Sequence, residues 1–123
     1  MKLASLAAAL LLATLASVTA HGEEAAPKKT LSCEFGPVPK TYGETSWLVY
    51  TCDDGQSVLI VAEPGSPAAP FMFRFKAGEG GYVLQSQGSG DKEFTTAAFG
   101  DLKVMSVQDV AELISLTKAH VEL

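Results

Sequence analysis

The sequence predicts an α+β domain in which a four- or five-stranded antiparallel β-sheet is followed by one or two C-terminal helices packed on one of its faces. Three observations carry that reading. Runs of β-branched and aromatic residues, separated by glycine and proline clusters, fill residues 31–88. The stretch "FMFRFKA" (71–77) alternates strictly, sending Phe71, Phe73 and Phe75 one way and Met72, Arg74 and Lys76 the other, which is the two-residue period of a strand with one covered face. Beyond residue 94 the apolar spacing becomes helical, and strands followed by helices pack as a sheet with helices segregated to one side.

The elements follow in order. "LSCEF" (31–35) is a short predicted strand, and "GPVPKTYGET" (36–45) is a predicted loop, because Pro37 and Pro39 lack backbone donors and two glycines punctuate it. "SWLVYTC" (46–52) and "QSVLIVAE" (56–63) read as strands flanking "DDG" (53–55), a three-residue hairpin loop whose glycine takes positive φ. The continuous apolarity of Leu59, Ile60 and Val61 marks the second of these strands as covered on both faces or central in the sheet. "PGSPAAP" (64–70) is a second proline-rich loop. After the phenylalanine strand, "GEGG" (78–81) turns the chain and "YVLQSQG" (82–88) returns as a strand.

Two helices close the domain. In residues 95–105, Ala98, Leu102 and Met105 keep helical spacing, with Thr95 and Phe99 beside them. In residues 106–120, Ser106 is placed to cap, Asp109 lies in the first turn, and Val107, Val110, Ile114 and Thr117 form the buried stripe. Lys118 and His120 fall in the last turn, where cations suit the helix dipole.

Residues 1–20, "MKLASLAAALLLATLASVTA", have one cation at Lys2, an apolar run from Leu6 to about Leu15, and small residues Val18 and Ala20 before the expected cut. That is the pattern of a secretory signal peptide, and the run is shorter than the roughly 20 apolar residues of a membrane span. "HGEEAAPKKT" (21–30) has no apolar period and reads as a flexible leader, leaving 31–123 as a single small α+β domain. "TLSC" (30–33) follows charged residues rather than an apolar core, so it is not read as a lipid-attachment box. Export to the periplasm or secretion is the expected destination. There an even pair of cysteines forms a disulfide, and Cys33 and Cys52 are the only two in the chain. Their spacing is not the C-x-x-C of a redox-active pair.

The formal charge is −5 at pH 7. Removing residues 1–20 takes away one lysine and no acid, which brings it to −6. An acidic chain without a basic cluster repels phosphate backbones, so nucleic acid is not an expected partner.

Catalytic constellations are not evident in the sequence. Neither "PGSPA" around Ser66 nor "GSG" around Ser89 is a G-x-S-x-G elbow, "GSGDK" is not a P-loop, and "CDDG" supplies two adjacent carboxylates rather than ligands spread over a twelve-residue calcium loop. Glu34, Glu44 and Glu63 have no spacing that brings two together as an acid/base pair. Tyr42, Trp47 and Tyr50 are the candidate ligand-facing aromatics, since rings with a polar handle are common at interfaces. His21 and His120 are the only histidines. If cleavage leaves His21 first, its amino group and ring plus the His120 ring would offer nitrogen ligands for copper, although a leader and a helix edge do not preorganise such a site.

The reading is therefore an exported small protein acting as a non-catalytic binding or interaction module stabilised by one disulfide. It needs no cofactor, and its ligand is a protein or small molecule. The alternative is a copper-binding protein using His21 and His120.

Overall fold

The computed structural model describes residues 31–122, so the signal peptide and leader expected over residues 1–30, including His21, lie outside the described residues. Within them the proline segment is not a loop. β1 runs Phe35–Tyr42 and includes both Pro37 and Pro39. Two features explain why the prolines are tolerated. β1 is an outer strand of the five-stranded order β1-β2-β3-β4-β5, and an edge strand has one side whose donors need no ladder partner. The register also shifts between Phe35 and Val38, which places Pro37 in the irregularity. Of "LSCEF", only Phe35 belongs to a strand. Leu31–Glu34 instead run beside the end of β2, where the Asp53 N–H donates to the Ser32 carbonyl (2.7 Å) and a disulfide joins Cys33 to Cys52.

Gly43 and Glu44 link β1 to β2 (Thr45–Thr51) with φ of 59° and 66°. Positive φ at both central residues is the type I′ geometry whose twist suits a two-residue hairpin. β2 alternates cleanly, with Thr45, Trp47, Val49 and Thr51 buried. β3 (Val58–Ala62) buries Val58, Ile60 and Ala62 on the same side and is the middle strand, as its apolar run implied. The β2–β3 connection is longer than "DDG" alone. The Cys52 N–H donates to the Ser57 carbonyl, and the Asp54 carboxylate accepts the Gln56 and Ser57 N–H groups and the Ser57 hydroxyl. Those bonds draw residues 52–57 into the loop, with Gly55 at φ 74° as expected.

β4 (Phe71–Gly78) and β5 (Gly81–Gly88) form a regular antiparallel hairpin closed by Glu79 and Gly80. Phe73 and Phe75 are buried and Phe71 is half-buried, so the phenylalanine face is the core face. α1 (Lys92–Leu102) starts three residues before the spacing predicts, because the Asp91 carboxylate caps it by accepting the Glu93 N–H. α2 (Val107–Glu122) opens on a reciprocal cap in which Ser106 and Asp109 each accept the other's backbone N–H. Its buried stripe is Val110, Leu113 and Thr117 rather than one beginning at Val107, which is 55% exposed. At 100° per residue Val107 lies about 20° from the half-buried Ile114 but about 120° from Leu113, on the flank of the buried stripe rather than its centre.

Both helices cover one face of the sheet, α2 lying over β1 and β2. Trp47, Val49, Val58, Ile60, Phe73 and Phe75 from the sheet meet Ala98, Leu102, Val110 and Leu113 from the helices. A polar pair inside this layer is self-satisfied, with the Thr51 and Thr117 hydroxyls 2.7 Å apart and the latter also donating to the Ile114 carbonyl. No helix among the described residues is long and apolar enough to cross a membrane.

Candidate binding groove

The aromatics singled out in the sequence do not share a face. Trp47 is fully buried, and its indole N–H donates to the Tyr42 carbonyl and the Thr45 hydroxyl at 3.0 and 2.9 Å, so it belongs to the core. Tyr50 pairs with Leu59 on the opposite face of the sheet. Tyr42 is half-buried at the end of β1, where burial and then the Asp101 carboxylate push its phenol up to about 12.

His120 is exposed near the end of α2. Among the described residues no three His, Cys, Asp or Glu side chains gather as a metal would require. Glu44 and Glu63 do line a common cleft with Ser66 and Phe94, a proximity that their separation in sequence conceals. Glu34 is elsewhere, accepting the Ser32 hydroxyl. Glu44 and Glu63 are both exposed, so the pair forms an acidic rim rather than a desolvated acid and base.

A more complete constellation lies where β5 meets the helices. On the core side of β5, alternation places Tyr82, Leu84 and Ser86 in a row. α1 runs opposite, and Phe99 stacks on Phe73 with ring centroids 6.4 Å apart. Between Ser86 and the α1 residues Thr95, Thr96 and Phe99 is a cavity of about 260 Å³, floored by Phe71 and Phe73.

Farther along the strand, Phe75, Tyr82 and Leu84 face Phe99, Met105, Val107 and Val110 across a second cavity of about 440 Å³. Phe99 borders both, so they are two stations of one groove. Among the described residues Lys103 is the only charged one in the lining of the larger cavity, and its Nζ sits 5.6 Å from the Phe99 ring centroid, a cation over an aromatic face.

The groove wall is braced from behind. Tyr82 packs edge-on against Phe75, and its hydroxyl donates to the Gln56 carbonyl at 2.9 Å. Burial, and then the nearby Asp54 carboxylate, raise the Tyr82 phenol above its ordinary value. Burial alone would raise the Asp54 carboxyl too, but the hydrogen bonds from Ser57 and Gln56 outweigh it and hold Asp54 below its usual range.

Phe99 is 41% exposed and Val107 55%. Two large apolar side chains left open beside a concave apolar wall, with a single cation at its rim, have the make-up of a ligand pocket. Sequence periodicity assigned Phe99 and Val107 to the core stripe, whereas the structure leaves both open to solvent. No family model, curated protein or solved structure matches the chain.

Proposed function

We propose that the protein is a non-catalytic binding module whose ligand lies in the groove between β5 and the α1–α2 corner. The carrying observation is the cavity of about 440 Å³ in which Phe75, Leu84, Phe99 and Val107 meet, with Phe99 and Val107 open to solvent and Lys103 as the one charge among the described lining residues. Apolar walls supply affinity, while one cation fixes the orientation of an amphipathic ligand by its anionic end. The intact disulfide supports the reading that the module works outside the reducing cytosol, in the periplasm or secreted.

Isothermal titration with dodecanoate below its micellar concentration tests the proposal, and a saturable single-site isotherm is expected. Val107→Asp should weaken it about tenfold, the equivalent of withdrawing the ~1.5 kcal/mol that one buried valine contributes. Unsaturable, weak heats indistinguishable between wild type and V107D would sink the assignment.

A further inference from the structure

The groove borders a bare edge of the sheet, and the two edges of this sheet are built differently. β1 carries Pro37 and Pro39, a register irregularity and Lys40, the devices by which edge strands refuse a further strand. β5 has none of them. Over its eight residues it holds no proline and no charge, and its pairing with β4 is regular from Gly78↔Gly81 to Phe71↔Gly88. Being last in the sheet order, it presents the backbone groups of alternate residues away from β4, with no strand partner among the described residues.

The two cavities fall on this same edge with the period of a strand. One lies against Ser86 and the other against Leu84 and Tyr82, side chains that recur every second residue, about 6.8 Å apart. An added strand would send alternate side chains into those two cavities and place a residue near one end of the groove at Lys103.

Resting on the binding-module reading above, we propose that β5 accepts an extended peptide of a partner protein as a sixth strand. Two alternating apolar side chains fill the cavities, and one carboxylate meets Lys103. Main-chain bonds to β5 supply affinity and the cavities supply selectivity, as in other strand-addition complexes. The partner's acidity is confined to that one position, because the chain as a whole carries a charge of −5 and repels a generally acidic segment.

The probe is a synthetic eight-residue peptide of alternating leucine and serine ending in a free glutamate. It is compared with two analogues, each N-methylated at one of the two alternating sets of amides. Binding of the parent should slow hydrogen exchange at alternate β5 amides, and one analogue of the pair should bind about tenfold more weakly, since only one set faces β5. Lys103→Gln should lower the affinity of this peptide severalfold and leave unchanged that of an analogue ending in glutamine amide, which has no carboxylate at that end.

If both analogues bind like the parent while dodecanoate still competes, the groove binds ligands without strand addition and this inference fails alone. If dodecanoate and peptide both fail to bind, the binding-module reading falls with it. A dimer joined through β5 that the peptide does not dissociate would assign the edge to a second copy and overturn the proposal.

Discussion

Tyr42 shows how much a single position can report. Its phenol is pushed up to about 12 by burial and then by the Asp101 carboxylate, so the folded state holds the neutral form while an unfolded chain ionises from the ordinary value of 10.0. The associated stability is fully present below pH 10 and lost as pH rises towards 12. Tyr42→Phe should therefore leave stability at neutral pH nearly unchanged and flatten its alkaline decline. In a spectrophotometric titration it should also delete the transition near 12, one of only three tyrosine signals in the chain.

Asp54 has the opposite sign. Its lowered carboxyl stabilises the folded chain above the ordinary 3.8, and that contribution disappears as pH falls through the lowered value. Removing its cap of the β2–β3 loop by Asp54→Ala should cost about 1 kcal/mol at neutral pH, a deficit that narrows in acid unfolding curves below pH 4. At this scale the sequence was partly legible. Cys33 and Cys52 had only each other to pair with, but alternation in β2 could say that Trp47 and Tyr50 face opposite ways without saying which way was the core.

Elements were legible wherever a period ran uninterrupted. β2, β3, β4, β5 and α2 stand close to where β-branched alternation or helical spacing puts them, whereas β1 was hidden by two prolines that only its edge position excuses. The β1–β2 turn also fixes α1. A Cβ on Gly43 would run into the backbone of Ala97 and Ala98, and the Gly43 N–H donates to the Asp101 carboxylate at 2.7 Å. Gly65 has positive φ as well, yet open space where its Cβ would go. Gly65→Ala should therefore cost only the backbone strain of about 1–2 kcal/mol. Gly43→Ala should cost measurably more in urea unfolding, because α1 must shift away from the turn. Equal costs would show that the turn does not position α1.

For the molecule as a whole, fold class could be read from pattern, but the groove could not. Its two sides, β5 and the α1–α2 corner, are each described by local periodicity, and the cavities arise only where the fold sets the two against each other. Sequence spacing has no term for that juxtaposition. The disulfide acts at the same scale, tying the chain ahead of β1 to the end of β2 across 19 positions. Replacing both cysteines by serine should lower global stability by about 3 kcal/mol in denaturant unfolding. A loss near zero would mean that hydrogen bonds such as Asp53 to Ser32 already hold that corner.

Neighbour-to-neighbour strand order has a further consequence, for the order of assembly. Each hairpin closes a short loop at small entropic cost, so strand pairing can begin while the chain is incomplete. The layer that shields the sheet comes last, and the surface of Trp47, Val49 and Ile60 awaits Val110, Leu113 and Thr117 from the far end of the chain. A product cut short before residue 107 would hold a paired but uncapped greasy sheet. Such a fragment is expected to sediment as aggregate, which makes arrival of the final helix the step that separates folding from precipitation.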